Sequence, residues 1–190
     1  MHRRPILEML SGYLKRFPDE KVVVRRIRRL VEGKPDCFER TCCPGHITGS
    51  AWVLSADRNQ CLLLHHGRLA RWLQPGGHAD GQNDIVAVAR REVWEETGLT
   101  NLKLIGGGNR VVPLDVDIHQ IPARYSPDGT LLEPNHEHHD LRFLFVAGPD
   151  QQLKISSESN ALRWFSRAEV HTVTDEPSVL RMLQKAGPFG

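Results

Sequence analysis

The chain has 190 residues, with 25 Lys or Arg and 23 Asp or Glu, so its formal net charge at pH 7 is +2. This even balance gives no electrostatic reason to expect binding to nucleic acid or to a membrane surface. No apolar stretch approaches the roughly 20 residues that span a bilayer. The N-terminal residues also lack the apolar stretch of a signal peptide, so we expect a cytoplasmic protein.

The first 40 residues predict a helical extension, followed by one main domain at residues 41–190. Two helices are expected, at 4–17 and 20–33, because Pro18 and Asp19 end one and begin the next. The second helix is strongly basic. A phosphate-bearing ligand or an acidic partner is one interpretation of this charge. The favoured interpretation is that the basic residues form a solvated face, while four apolar residues anchor the helix to the protein.

Four cysteines stand at positions 37, 42, 43 and 61, and three of them fall with His46 in the stretch "CFERTCCPGH". Structural zinc sites pair their cysteines at short regular spacings, which this stretch lacks. In a cytoplasmic protein cysteines stay reduced. We therefore predict free thiols here and no zinc site of this kind.

From residue 46 the pattern changes to strands. "SAWVL" and "CLLLH" flank the polar turn "SADRNQ" and predict a hairpin, and the Gly-rich loop "QPGGHADGQN" leads into a helix at about 84–97 that Gly98 ends. Further strands are predicted in "NLKLIGG", "RVVPLDVDIHQI", "HDLRFLFVAG" and "ALRWFS", a loop in "SPDGTLLEPNHEH", and a last helix at about 177–186. Strands and helices mix without regular alternation, which predicts an α+β fold.

The helix at 84–97 carries three glutamates close together, Glu92, Glu95 and Glu96. At about 100° per residue they share one helix face, and that face continues the apolar positions 85, 88 and 89. A solvated glutamate stripe would lie opposite the apolar stripe. Like charges at these spacings cost about 0.2–0.5 kcal/mol each even on an exposed helix. A bound hard cation removes this penalty, so the pattern predicts a divalent-metal site.

The stretch from Gly77 to Leu99 closely resembles the Nudix box, the loop–helix–loop signature of hydrolases that act on a diphosphate linked to another group. It consists of Gly77, five residues, Asn83, seven residues and then "REVWEETGL". Every defined position matches except Asn83, where the family has glutamate. The resemblance covers about residues 46–170. It implies a Nudix-like α/β/α sandwich with a mixed sheet.

The resemblance also implies a metal site and its chemistry. Glu92, Glu95 and Glu96 would hold one to three Mg²⁺ or Mn²⁺ ions with a backbone carbonyl at Gly77, and Arg91 would orient the glutamates through an i,i+4 pair. The metals would neutralise the phosphate oxygens and activate a water that attacks phosphorus. Because position 83 lacks the carboxylate, we expect a lower rate and fewer bound metal ions. The expectation of a metal site itself is affected less.

The residue that accepts the proton varies among Nudix enzymes, and Glu92 is our first choice. Glu133, Glu137 and Asp140 are the downstream candidates, because such enzymes often supply one more acidic group near a later strand. We expect His78, Glu137 and Asp140 to contact the substrate. Trp52, Trp72 and Tyr125 are candidates for stacking on a base, with core packing the favoured role of Trp52. The loops at 106–110 and 124–139 are the candidates for specificity.

Three interpretations remain open at this point. The first is a metal-dependent pyrophosphohydrolase with a small-molecule diphosphate substrate. The second is a non-catalytic nucleotide or sugar-nucleotide binding module on the same fold, which Asn83 favours and the intact glutamates disfavour. The third follows from the many histidines: His46 and His78 fall where type I isopentenyl diphosphate isomerases have theirs. Positions 76 and 77 are glycine instead of the expected cysteine, which argues against isomerisation. A homodimer is compatible with all three.

Overall fold

Within residues 2–106 and 111–187, which the computed structural model describes, the chain forms five α-helices and ten strands. The first half comprises α1 (Arg4–Arg16), α2 (Lys21–Gly33), β1 (Gly45–Leu54), β2 (Gln60–His66), β3 (Arg71–Leu73), β4 (Gly76–His78) and α3 (Ile85–Thr97). The second half comprises β5 (Leu102–Leu104), β6 (Asp115–Ile121), β7 (Arg124–Tyr125), β8 (Leu131–Glu133), β9 (His136–Ala147), β10 (Ser159–Ser166), α4 (Arg167–Val173) and α5 (Pro177–Lys185).

Eight of the strands form one mixed sheet with the central order β10-β2-β1-β9-β5. The strands β3, β4 and β6 pair with β2, β1 and β9, and β7 pairs with β8 in a separate two-stranded sheet. The long strands β1 and β9 run parallel to each other over their whole length, from Gly45 opposite Glu137 to Leu54 opposite Val146. Helices cover both faces of the sheet, which confirms the predicted α+β sandwich.

The strand β1 positions the site, because its two faces differ. Ile47, Ala51 and Val53 point into the core that the sheet shares with α1, α2 and α3. On the other face, the last residues, including Trp52, pack in a second core with α4 and α5. The first half of that second face instead carries the buried polar side chains His46, Thr48 and Ser50. A buried polar row inside an otherwise apolar strand needs polar partners, and these lie on the neighbouring strands.

The glutamate helix α3 has the ends that its sequence predicts. Asp84 caps the N-terminus, where its side chain accepts a hydrogen bond from the backbone N–H of Ala87 at 3.1 Å. Gly98 ends the helix with φ +76°, a left-handed conformation that only glycine adopts readily. Ile85 and Val88 of the first turn pack directly over Gly49 of β1, where a Cβ atom would meet them at 3.0–3.1 Å. This close approach fixes α3 against the sheet.

The N-terminal helices share the core of the main sheet and do not stand apart from it. Apolar residues of α1 and α2, such as Leu10 and Ile27, belong to one continuous cluster with β1 and α3. The last helix also reaches the first, because Lys185 Nζ donates hydrogen bonds to Tyr13 Oη and to Asp115 Oδ1, both at 2.6 Å. The first and last segments of the chain are thus joined through buried polar contacts.

The structure differs from the predicted elements at several places, and the short strands β3 and β4 were not predicted, although β4 lies in the predicted Gly-rich loop. The predicted loop at 126–138 contains β8, which pairs with β7 just before the loop, and β9 begins already at His136 inside it. The helix α4 was not predicted, although Ser166 and Glu169 form the capping box that marks its start. The predicted helices at 4–17, 20–33 and 177–186 and the β1–β2 hairpin are confirmed. Within the described ranges, no helix has the length and apolarity needed to cross a membrane.

Candidate active site

An open cleft of about 1110 Å³ lies beside β4 and the second half of α3. The predicted glutamates Glu92, Glu95 and Glu96 line it together with Gly77, His78 and Arg91. Polar residues of the sheet line the opposite wall, namely Thr48, Ser50, His119, His138 and Asp140. The fold therefore brings the predicted metal-binding and substrate-binding groups together, with the exception of Glu137.

The glycine at the start of the box has a steric role. A Cβ atom on Gly77 would overlap with the carboxylate of Glu92, so only glycine allows this side chain to lie against β4. The neighbouring backbone N–H of Gly76 donates a hydrogen bond to Glu96 Oε2 at 2.9 Å. Two of the three glutamates, Glu92 and Glu96, thus contact the backbone of the short strand β4.

Arg91 connects the Gly-rich loop to the glutamates of α3. Its guanidinium donates to Glu92 Oε1 at 2.7 Å, to the carbonyl of His78 at 2.6 Å and to Gln82 Oε1 at 3.2 Å. The predicted i,i+4 contact with Glu95 is longer, at 3.7 Å. Arg91 therefore ties the Gly-rich loop to α3 and orients Glu92 more directly than Glu95.

The glutamates stand in an environment that disfavours their charge. Burial raises the pKa of Glu96 to about 8, against the hydrogen bond from Gly76, and the charges of Glu92 and Glu95 add to the effect. Burial likewise raises the pKa of Glu92, although Arg91 opposes it. Half-buried carboxylates that gather without enough positive charge fit a hard divalent cation, whose preferred ligands are oxygens. The donor set thus suits Mg²⁺ or Mn²⁺.

A methyl group at position 77 tests this packing. We expect Gly77→Ala to reduce turnover strongly and to change the free energy of unfolding little, because the methyl displaces the flexible end of Glu92 from its place against β4. Steady-state rates and urea denaturation curves check the two parts. Gly33→Ala is the control, since a Cβ there meets no atom within 4 Å. Unchanged turnover in Gly77→Ala would show that the position of Glu92 on β4 has no role in the reaction.

Asp140 lies at the sheet wall of the cleft in a fully satisfied polar network. It is buried in β9 and accepts hydrogen bonds from Thr48 Oγ1 and Ser50 Oγ, both at 2.9 Å. The guanidinium of Arg142 donates to its other oxygen at 2.7 Å and extends to Asp115 and Asp117 on β6, both at 3.0 Å. Asp140 therefore supports the wall of the cleft as part of an ion-pair network.

Five histidines meet at one end of the cleft. The rings of His46, His136 and His138 lie within 4.8–5.1 Å of one another, measured between centroids. His78 and His119 each lie against His138, with centroid distances of 4.9 and 5.3 Å. Burial, together with the neighbouring rings, lowers the pKa of His46 to about 4 and that of His138 to about 2. Both rings are therefore neutral at pH 7.

The remaining predicted residues lie elsewhere. Glu137 is on the opposite face of β9, where it accepts hydrogen bonds from Arg26 at 2.6 Å and Gln120 at 2.7 Å. The contact with Arg26 gives the basic helix α2 an acidic partner inside the same chain. Asn83 is exposed just before the cap of α3 and does not line the cleft. All four cysteines are free thiols, as predicted.

A second cavity of about 780 Å³ continues the cleft past Arg68 and Leu69, which line both. Tyr125 lines this second cavity and is 61% exposed, so its ring is available to a ligand. Trp52, by contrast, is fully buried in the core, and Trp72 packs edge-on against Phe165 at 4.8 Å. Of the candidate loop at 106–110, residues 107–110 lie outside the described residues.

Sequence reasoning missed five residues of the sheet wall, Thr48, Ser50, His119, His138 and Arg142. A signal for them exists in the sequence as polar residues at every second position. The stretches "HITGS", "HEHHDLR" and "DVDIH" each place polar side chains two residues apart. That period assigns them to one face of a strand. Only the pairing of the strands shows that the three polar faces are adjacent.

Comparison with known proteins agrees with the geometry of the box. The family model of the NUDIX domain matches residues 46–185. Among solved structures, an Ap4A hydrolase of C. elegans in a binary complex is similar with 16% sequence identity over 74% of this chain and 93% of that chain, at a TM-score of 0.56. A NUDIX-family hydrolase from Clostridium perfringens is similar with 22% identity over 74% of this chain and 95% of that chain, at a TM-score of 0.56.

A third solved structure, the dihydroneopterin triphosphate pyrophosphohydrolase of E. coli, is similar with 16% identity over 73% of this chain and 92% of that chain, at a TM-score of 0.53. At these identities the three structures support the fold alone. The family match is independent of them and spans most of the chain, including the complete glutamate cluster. This protein therefore belongs to the Nudix family, as a hydrolase acting on phosphoanhydride bonds.

Proposed function

We propose that this protein is a divalent-metal-dependent pyrophosphohydrolase that cleaves a diphosphate bond in a nucleoside-diphosphate-linked or similar substrate by attack of water at phosphorus. The observation that carries the proposal is the cluster of Glu92, Glu95 and Glu96, which lines the cleft while Gly77 leaves room for the carboxylate of Glu92. Burial disfavours the charge of two of these groups. Such an arrangement is costly unless a cation compensates it.

The three glutamates, with the backbone carbonyl of Gly77, would hold Mg²⁺ or Mn²⁺. A cation bound there would neutralise the oxygens of the diphosphate and lower the pKa of a water molecule. Arg91 fixes Glu92 and the Gly-rich loop in one arrangement, through contacts of 2.6–3.2 Å. Glu92 is our choice for the group that accepts the proton of the attacking water, because Arg91 and the space left by Gly77 fix its carboxylate in the cleft. His78 lines the same cleft and is our candidate for contact with the phosphates, whereas the buried Asp140 would act on the substrate only through Thr48 and Ser50, which it positions in the wall of the cleft.

The second cavity is our candidate for the leaving group. Arg68 stands at its junction with the cleft and forms no ion pair among the described residues. Its charge is therefore free to contact a phosphate. Tyr125 farther along offers an exposed ring on which a base can stack. The order of these groups, with carboxylates first, then a free cation and an aromatic ring, suits a phosphate chain linked to a nucleoside.

A panel of substrates tests the proposal. The release of phosphate, pyrophosphate or a nucleotide from nucleoside di- and triphosphates, dinucleoside polyphosphates and nucleoside-diphosphate sugars is measured by chromatography of the products with Mg²⁺, with Mn²⁺ and with excess chelator. We expect metal-dependent release from at least one class. In water enriched in oxygen-18, the label should enter a phosphate product, as attack at phosphorus requires.

The alternative is a non-catalytic module that binds a nucleotide or sugar nucleotide, which the neutral Asn83 favours. Melting curves measured with the same panel separate the two functions, because a ligand that binds the native state alone raises the melting temperature. A ligand-dependent rise without turnover under any metal would support the binding module and contradict the hydrolase.

A further inference from the structure

We propose that His46, His136 and His138 form a second metal site, which binds a transition metal of the Zn²⁺ class through three imidazole nitrogens and leaves a coordination position open toward the cleft. This proposal does not rest on the proposed function, because none of the three residues belongs to the glutamate cluster. It concerns the far wall of the cleft, on β1 and β9.

The pairing of the strands brings the three side chains together. His46 at the start of β1 is the Cα partner of His138 in the parallel pair β1–β9. His136 lies two residues before His138, so both side chains leave β9 on the same face. That face is the one that carries Thr48, Ser50 and Asp140, which hydrogen bond to one another across the same two strands. The fold therefore fixes all three imidazoles at one end of the polar row.

The distances fit one metal ion. One ligand nitrogen from each histidine can be chosen so that all three lie within 4.8 Å of one another, and Nε2 of His136 is 3.2 Å from Nε2 of His138. Zn–N bonds of about 2.0–2.1 Å place two tetrahedral ligand atoms about 3.3 Å apart. The centroids of the three rings form a triangle with sides of 4.8, 4.9 and 5.1 Å. Imidazoles on one tetrahedral ion, with the same Zn–N bonds, have their centres about 5 Å apart.

The surroundings of His136 prepare it as a ligand. Its Nδ1 is 2.9 Å from the backbone carbonyl of Pro134, which can only accept a hydrogen bond. The ring therefore carries its proton on Nδ1 and presents the lone pair of Nε2 to the cluster. Metal-binding histidines usually have such a partner, which fixes both the tautomer and the orientation of the ring.

His46 gives an independent indication. It is only 1% exposed, and neither of its ring nitrogens has a hydrogen-bond partner among the described residues. A buried imidazole without a partner loses the hydrogen bonds that it forms with water. A metal ion at the centre of the three rings would supply the missing partner. The three imidazole nitrogens favour a transition metal, because imidazole suits Zn²⁺ whereas Mg²⁺ prefers oxygen.

The open position follows from the place of the cluster in the cleft. His138 lines the cleft, whereas His46 is buried behind it. His78 also lines the cleft beside these rings, but it does not belong to the set whose ligand nitrogens lie within 4.8 Å of one another, so the fourth position is left to water or substrate. Three protein ligands with a fourth position for water or substrate are typical of catalytic zinc sites. Because His138 and the three glutamates line the same cleft, a diphosphate bound there lies between the two sites.

The test uses the full chain, without an affinity tag, in which Glu92→Gln and Glu96→Gln remove the carboxylate site. After treatment with a chelator this double variant is titrated with Co²⁺, which in a tetrahedral nitrogen site gives strong visible absorption. We expect one equivalent of Co²⁺ to bind, with the absorption lost when Zn²⁺ is added. In the same background, His136→Ala and His138→Ala should each weaken binding at least about tenfold, since even the loss of an outer hydrogen-bond partner costs 10–100-fold.

His171→Ala is the matched control, because this histidine is exposed on α4, far from the cluster in sequence and element. It should leave the titration unchanged. Absence of Co²⁺ uptake by the double variant would overturn the proposal without any histidine variant, so the result does not depend on whether those variants fold. Absorption that persists in both His136→Ala and His138→Ala would also overturn it. A thiolate-to-cobalt band would do the same, because it would assign the metal to cysteine.

Discussion

Glu96→Gln should remove the metal-dependent hydrolysis almost completely while leaving the metal-free protein folded. Loss of a partner that only supports a metal ligand already costs 10–100-fold, so loss of the ligand itself should reduce turnover at least about 100-fold. Steady-state rates on the best substrate of the panel measure this loss. Melting curves with and without Mg²⁺ measure the accompanying loss of metal-dependent stabilisation. Glu92→Gln should behave in the same way.

The metal-free stability of Glu96→Gln should depend on pH. Since burial raises the pKa of Glu96 to about 8, the native state holds a proton that the unfolded state loses near the ordinary value of 4.5. The unfolded state then binds fewer protons between these values, so the stability of the wild type should fall as the pH rises through that window. Glutamine does not titrate. Glu96→Gln should therefore gain stability over the wild type from pH 5 to pH 8.

Glu32→Gln on α2 is the control for both measurements, because its side chain is 54% exposed and forms a surface ion pair with Arg28. It should change neither turnover nor the response to Mg²⁺. Both Glu92→Gln and Glu96→Gln could keep the wild-type rate while the melting temperature of the wild type does not change with metal. The three glutamates would then be solvated residues of the helix surface without a metal. The metallohydrolase proposal would then fail.

Arg142→Met should destabilise the protein by about 3–5 kcal/mol, because it leaves buried carboxylates without their cation. Arg142 is 2% exposed and bridges Asp115, Asp117 and Asp140. Arg181 would still neutralise part of the charge on β6, through contacts of 2.8–2.9 Å to Asp115. Urea denaturation of the metal-free protein measures the loss. Arg142→Lys should be intermediate, since it keeps the charge but not the planar fork.

The stability deficit of Arg142→Met should shrink in acid. Burial by itself would raise the pKa of Asp115 and Asp117, but the hydrogen bonds and the charges of their cationic partners outweigh it and hold both below their ordinary value. Their contribution is therefore complete above the unfolded value of about 3.9 and is lost as the pH falls below it. Arg163→Met, which removes an exposed pair with Glu169, should cost no more than about 1 kcal/mol. Equal losses for the two arginines would contradict a buried network.

The sequence predicted the local parts of this molecule and missed the parts that arise between distant segments. The ends of α3 follow from Asp84 and Gly98, and the glutamate face follows from helical periodicity, so both could be predicted within one short stretch. The sheet wall could not. Thr48 and Asp140 meet only because β1 pairs with a strand 92 residues farther along the chain. No local pattern specifies which strands become neighbours.

Glu137 illustrates the same limit on a smaller scale. As a carboxylate at the start of a later strand it is a candidate for substrate contact. Its position between His136 and His138 turns it to the other side of β9, toward Arg26. A difference of one residue in a strand decides which face a side chain occupies. That assignment requires the register of the strand, which a single sequence does not contain.

The contacts of Lys185 with Tyr13 and Asp115 also bear on how the chain is made. Tyr13 and Lys185 are 172 residues apart, so Tyr13 is synthesised long before Lys185. At about 5–20 residues per second, this interval lasts on the order of ten seconds or longer. Until β9 is made, the apolar faces of α1 and α2 lack one of the strands whose residues complete their core. The nascent chain therefore completes these contacts only after Lys185 has left the ribosome.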